Sequence, residues 1–256
     1  MEIQNVAKVT YIIAYKHTLE RLRNLQRVLE WLTPFQGLEI LIVEQDKNSK
    51  ISELNLRAKH IFIENNMGIF NKSWCYNVAA LNVSTPVLIF GDCDLVMNPN
   101  EFMQAIQLMD KYDFVNPYKS VIDLTQEESL MDMGSILSIN RVGRGDAISD
   151  VEKCPMCGGM FIIKREAFLK LGGSNEDFLG WGCEDNYLDI MVRNFLTYVE
   201  LPNKCYHLYH EKAEINGNLY QRNLNILNHF AAASKDKLAN HINMVRGRIG
   251  KLNKYS

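Results

Sequence analysis

The chain has 256 residues, 47% of them apolar, which is enough to bury one sizeable core and argues against intrinsic disorder. Its formal charge of −2 and pI near 6.3 give no global reason to expect nucleic acid as a partner. No run of about 18 apolar residues is present, and Met1 to Val6 lacks the basic and apolar regions of a signal peptide, so the expectation is a cytoplasmic protein.

Lys8 to Ala14 reads as a first strand, and Leu19 to Leu32 follows with apolar residues at helical spacing. Leu38 to Val43 and His60 to Glu64 read as strands, Asn71 to Leu81 as a helix. Val87 to Phe90, bracketed by Pro86 and Gly91, is a short apolar run suited to a strand buried on both faces. This alternation predicts an α/β fold with a doubly wound, mostly parallel sheet, and places ligands at the carboxyl ends of its strands. Glu101 to Tyr112 continues as a helix and Phe114 to Pro117 as a strand. From Asp123 to Val151 no periodicity holds, which suggests either a functional loop or a poorly ordered one. Gly158 to Lys164 then reads as a strand, Arg165 to Leu171 and Glu184 to Asn194 as helices, and the chain turns helical again from about Asn218.

One domain over 1–230 is expected, with a basic helical tail over 231–256. Arg246, Arg248, Lys251 and Lys254 make that tail a solvated helix end, with a peripheral contact at the inner face of a membrane left open. The six cysteines, at 75, 93, 154, 157, 183 and 205, suggest reduced thiols more than a disulfide framework. Cys154 and Cys157 alone have metal-like spacing, and no second such pair completes a zinc site.

Three constellations carry chemistry. Asp92 and Asp94 follow the apolar Val87 strand, where two hard oxygen ligands suit Mn²⁺ or Mg²⁺ holding a diphosphate. Glycines at 158, 159, 172, 173, 180 and 182 permit close backbone approach, and Trp181 between two of them offers an indole wall for a sugar face. Glu184 and Asp185 open the next helix, either as acids favoured by its dipole or as a catalytic base. His207 and His210, three apart on a helical turn or tight loop, can point the same way and complete a Mn²⁺ shell.

In this order the motifs resemble the metal-dependent GT-A glycosyltransferases, in particular the beta-1,4-galactosyltransferases and bacterial family 2 enzymes such as chondroitin polymerase. The likeness runs from about Val9 to Leu227 and includes Ile12 to His17, Phe70 to Asn77 and Tyr220 to Leu224. It implies a GT-A, Rossmann-like, mostly parallel sheet flanked by helices. It further implies Asp94, His210 and His207 as metal ligands, with Asp92 close to the ribose and diphosphate. Ala14, Tyr15, Lys16, Asp46, Lys72, Cys93 and Gly159 would line the nucleotide-sugar, Trp181 would face the sugar, Asp185 would be the base and Glu184 would meet the acceptor. Ala14 replaces a family proline and Thr18 a basic residue.

The implied activity is metal-dependent, inverting transfer of a hexose or N-acetylhexosamine from a UDP-sugar to a hydroxyl of a glycan or lipid-linked glycan. The polypeptide N-acetylgalactosaminyltransferases have a G-W-G-G-E stretch similar to Gly180 to Glu184 and retain configuration, but pair Glu with Asn where this chain has Glu184 and Asp185. A retaining enzyme of that kind, and a non-catalytic nucleotide-sugar binding module, are the alternatives. A nucleotidyltransferase would carry a glycine-rich phosphate loop, and Ala14 to Thr18 contains no glycine. A lid over Glu211 to Asn225, closing on the donor, is also expected.

Overall fold

The computed structural model describes residues 8–146, 158–211 and 216–255. Strand β1 (Val9–Tyr15) sits inside a seven-stranded sheet and alternates faces with the period of two that a pleated strand imposes. Tyr11, Ile13 and Tyr15 enter one apolar cluster with α1 (Leu19–Leu32), while Ile12 and Ala14 enter the other with α2 (Lys72–Asn82). Cores on both faces explain why β1, β2 (Leu38–Asp46) and β4 (Val87–Gly91) read as nearly continuous apolar runs.

With β3 (Lys59–Glu64), these strands form a parallel block in the order β3-β2-β1-β4. Strand β8 (Met160–Lys164) joins β4 antiparallel, and β6 (Phe114–Asn116) and β9 (Tyr198–Glu200) complete the sheet. The expected α/β sheet is therefore present, mostly parallel and flanked by helices. Helix α3 (Pro99–Gln107), α5 (Arg165–Lys170) and α6 (Glu184–Phe195) fall where periodicity placed them, within a few residues.

A second, three-stranded sheet was not foreseen. Strands β5 (Leu95–Met97), β7 (Ser120–Asp123) and β10 (Lys204–His207) pair in the order β5-β10-β7 at the mouth of the main sheet. His207 is thus the last residue of a strand, not part of a helical turn, and His210 lies in the loop beyond it. The stretch expected to lack structure after Asp123 holds a 3-10 turn at Glu128–Leu130 and α4 (Met133–Ser138). Cys154 and Cys157 lie outside the described residues.

The chain ends in α7 (Gly217–Ala231) and α8 (Lys235–Val245). Residues 246–255 lie beyond the last helix and are largely exposed, but they are tied to the body beside α2 at several points. Trp74 Nε1–H donates to the Lys251 carbonyl at 2.7 Å, the Gly250 N–H to Glu176 Oε1 at 2.6 Å, and Asn71 Nδ2–H to the Tyr255 hydroxyl at 3.0 Å. Lys254 pairs with Glu176, so its charge is met within the fold. Among the described residues no helix is long and apolar enough to cross a membrane.

Candidate active site

The strand pairing assembles the first half of the site. Strand β4 ends at Gly91, Asp92 and Asp94 follow, and the chain at once enters β5. Because β10 pairs with β5 in the register His207 to Leu95, His207 comes level with the residue after Asp94. The Leu208 N–H donates to the Asp94 carbonyl at 2.8 Å and fixes that register. Beyond β10, the Tyr209 N–H donates to Ser129 Oγ at 2.7 Å, and Asn24 of α1 donates to the Tyr209 carbonyl at 3.0 Å. The loop so held returns His210 toward Asp94.

His210 Nε2 lies 3.3 Å from Asp94 Oδ2 and His207 Nε2 lies 3.8 Å from Asp94 Oδ1. Asp94, His207 and His210 each offer one ligand atom within 4.8 Å of the others. Both imidazoles are anchored through the opposite nitrogen: His207 Nδ1–H donates to Asp123 Oδ1 at 3.1 Å, and His210 Nδ1–H to the Glu211 carbonyl at 2.8 Å. Such anchoring leaves each Nε2 lone pair facing Asp94, as outer partners of metal-bound histidines do. One carboxylate and two imidazoles suit Mn²⁺. Burial pushes the Asp94 carboxyl above its ordinary pKa; the two imidazoles oppose this and Asp92 adds to it.

The second half is centred on Lys72, the first residue of α2. Asn71 caps that helix by accepting from the Trp74 N–H at 2.9 Å. The Lys72 ammonium lies 3.3 Å from Glu184 Oε1 and 3.6 Å from both Asp92 Oδ1 and Asp185 Oδ1. Burial disfavours this ammonium, but Asp185, Asp92 and Glu184 hold its pKa above the ordinary lysine value. Asp185 is pushed up to about 7, chiefly by burial, with Lys72 restraining the rise and Glu184 and Asp92 adding to it. A carboxyl so poised can exchange a proton near neutral pH. One ammonium faces three carboxylates here, with Asp94 beyond, so the site carries an excess of negative charge that a divalent cation can offset.

The glycine-rich segments fit closely around these acids. At Gly158, where φ is +78°, a Cβ would sit 2.5 Å from Asp185 Oδ2. The Gly159 carbonyl accepts from the Asp92 N–H at 2.7 Å and ties the two motifs together. Cys183, before α6, is the one described non-glycine residue with positive φ, at 76°.

Other expected donor residues are placed unevenly. Ala14 and Tyr15 close β1 but are buried; the Tyr15 hydroxyl bonds His17 Nδ1 at 3.0 Å, and Lys16 Nζ–H donates to the Gly68 carbonyl. Asp46 ends β2 and accepts from the Lys47 N–H at 2.8 Å. Cys93 packs its side chain into the core cluster with Tyr11 and Tyr15, and burial pushes its thiol up, so that sulfur is withdrawn from a donor. Trp181 is 59% exposed, with its ring centroid 5.6 Å from that of Tyr220.

Several supports escaped the sequence reading. Fully buried Asn223 of α7 donates to the carbonyls of Leu179 at 2.9 Å and Gly182 at 3.1 Å, clamping the Trp181 loop. Most of the stretch expected to act as a lid is therefore regular helix attached to that loop; residues 212–215 lie outside the described ones. Gln45 pairs with the Asn71 backbone on both sides, at 2.7 and 3.1 Å, bracing the start of α2, and Asn77 in the middle of that helix donates to Glu176 Oε1 at 2.8 Å. Scattered asparagines and a glutamine carry no pattern that distinguishes them from a solvated face.

No curated protein sequence matches the chain. Among solved structures it is similar to GalNAc-T7 crystallised with UDP, GalNAc and Mn²⁺, with a TM-score of 0.64 at 14% identity over 94% of this chain. The chain spans 55% of that protein's length. It is likewise similar to S. aureus TarS in complex with UDP-GlcNAc, with a TM-score of 0.61 at 14% identity over 92% of this chain and 71% of that one. The mannosyltransferase PcManGT from Pyrobaculum calidifontis, in complex with GDP-Man and Mn²⁺, gives 0.54 at 13% identity over 94% and 74%. At such identities the likeness is one of fold, the GT-A fold. The family profile described as "Glycosyltransferase like family 2" matches residues 10–236, nearly the whole chain, and the protein belongs to that family of glycosyltransferases.

Proposed function

We propose that the protein transfers a hexose or N-acetylhexosamine from a UDP-sugar to a glycan hydroxyl, with metal dependence and inversion of the anomeric centre. The observation that carries this reading is the junction of the two half-sites. Asp92 stands two residues from the Asp94 corner and 3.6 Å from Lys72, which in turn lies 3.6 Å from Asp185. A diphosphate held at Asp94, His207 and His210 would therefore lead its sugar toward Asp185.

When bound, Mn²⁺ or Mg²⁺ supplies positive charge for the departing diphosphate. Asp94, His207 and His210 hold that charge in place, and Lys72 adds its own beside Asp92. Lys16, Asp46 and Gly159, beside the carboxyl ends of β1, β2 and β4, would line the nucleotide, with buried Tyr15 supporting them from beneath. Trp181 presents an exposed indole to a sugar face. Asp185 accepts the proton of the acceptor hydroxyl as that oxygen bonds to the anomeric carbon, and the bond to the phosphate oxygen breaks on the opposite face. Glu184, 3.3 Å from Lys72, keeps the ammonium between the acids and meets the acceptor. The identity of Asp185, where retaining relatives of similar wording place an amide, supports inversion.

Release of UDP from a panel of UDP-sugars, with Mn²⁺, Mg²⁺ or EDTA, tests the reading. Turnover of one donor that chelation abolishes and Asp185→Asn suppresses is expected. Metal-dependent UDP binding without turnover of any donor, with or without glycan acceptors, would favour a non-catalytic binding module.

A further inference from the structure

We propose that Asp123 and Arg144 form a positioning pair that sets the orientation of His207 and thereby the affinity of the corner for a divalent cation. The inference rests on the metal reading above. Strands β10 and β7 run parallel in the register His207 to Asp123, so the last residues of the two strands stand abreast at one end of the small sheet. Asp123 Oδ1 accepts from His207 Nδ1–H at 3.1 Å, and this bond selects the tautomer whose Nε2 lone pair faces Asp94. Without it the imidazole, about one quarter exposed, is free to rotate about χ1 and χ2 or to present the protonated nitrogen instead.

Asp123 is itself held from the far side. Arg144 Nε donates to Asp123 Oδ2 at 2.6 Å and its Nη2 to Oδ1 at 3.0 Å, a fork that fixes the carboxylate plane. Arg144 reaches this place because its backbone is strapped onto β7: the Val121 N–H donates to the Arg144 carbonyl at 2.9 Å, and the Arg144 N–H to the Val121 carbonyl at 2.8 Å. The strap lies so close that a Cβ on Gly143 would fall 2.6 Å from the Val121 carbonyl oxygen. Arg141 adds a bond from Nη2 to the Asp123 carbonyl at 2.5 Å.

An ion pair as exposed as this one, with side chains 61% and 50% accessible, contributes little to folding. Its geometry matters for His207 instead. His210 has a main-chain carbonyl in the same role, so His207 is the ligand whose outer partner is a replaceable side chain.

Mn²⁺ affinity, read from the electron paramagnetic resonance signal of free Mn²⁺ with and without UDP, tests the proposal on the whole chain. Asp123→Ala is expected to weaken Mn²⁺ binding about tenfold, the lower end for outer-shell partners because the site is exposed. Asp123→Asn should recover most of that loss, since its amide oxygen still accepts from Nδ1–H, and Arg144→Gln should lose less than Asp123→Ala. In a His207→Ala background Asp123→Ala should cost nothing further. Asp123→Ala binding Mn²⁺ as the parent does, or adding its full loss to that of His207→Ala, overturns the pairing while leaving the metal reading intact. A parent protein that binds no Mn²⁺ overturns the metal reading and this inference with it.

Discussion

Replacing Lys72 with glutamine removes the ammonium that three carboxylates share, at 3.3 to 3.6 Å, while keeping most of the side-chain volume. Beside Asp185 then stand Glu184 and Asp92, both negative, together with the Tyr76 and Tyr118 hydroxyls, and the lysine charge that opposed the effect of burial on its carboxyl is gone. An opposite charge at this range lowers a carboxyl pKa by about 1–3 units. Asp185 should accordingly move from about 7 to roughly 8–10 in the variant. At pH 7.5 the ionised fraction of the base falls from about three quarters to between about one quarter and 0.3%, a loss of about 3-fold to a few hundredfold in kcat/KM. Activity in the parent should rise with pH through about 7; in Lys72→Gln the same limb should move to higher pH and rate should recover there. The assay is kcat/KM for UDP release from pH 5.5 to 10 at saturating Mn²⁺. A folded variant whose limb stays at the parental pH would refute the idea that Lys72 tunes the base.

Asp185→Asn should lower turnover about 10²- to 10⁴-fold while leaving UDP and Mn²⁺ binding near parental, which calorimetry can check. The raised carboxyl also bears on stability: the folded state holds a proton that the unfolded state has released, so stability falls as pH rises from about 4 through about 7. Asp185→Asn should therefore melt higher than the parent at pH 8, and the gain should shrink at pH 5; an equal gain at both would contradict the shift. Gly158→Ala adds a Cβ 2.5 Å from Asp185 Oδ2 at positive φ, and should cost about 1–2 kcal/mol in stability and displace the base, seen as lost kcat with UDP binding retained. Asn223→Ala strips donors from two carbonyls of the Trp181 loop and should cost about 1–3 kcal/mol, with a raised acceptor KM; unchanged melting would mean the clamp is not needed.

How far the molecule was legible from its sequence depended on the range of the contacts involved. The main sheet could be read because β1, β2 and β4 are long apolar runs separated by amphipathic helices, and each declares itself locally. Asp92, Glu184 and Asp185 could be read because chemistry restricts their type, Lys72 only through the family resemblance, and the four side chains do converge in the fold. The small sheet could not: β5 has three residues and β10 four, too few for a periodicity to show. The partnership of Asp123 with His207 joins residues 84 positions apart and follows from register alone, so Asp123 read only as the start of a patternless stretch. Cys93 was grouped with its neighbours in the motif, yet in the turn between β4 and β5 its side chain packs into the core. The last ten described residues looked like a free basic end because what ties them down, Glu176 for Lys254 and Trp74 for the Lys251 carbonyl, lies far back in the chain.

In the proposed mechanism Asp185 takes a proton as an acceptor oxygen displaces UDP from the face opposite the leaving group. Proton NMR of donor hydrolysis tests it without a known acceptor, because water then attacks in the acceptor's place. An α-linked UDP-sugar incubated with the protein and Mg²⁺ should yield the β-anomer of the free sugar first, before mutarotation, and neither Asp185→Asn nor the chelated protein should produce it. The α-anomer appearing first, or release that persists after chelation, would rule out metal-dependent inversion through Asp185.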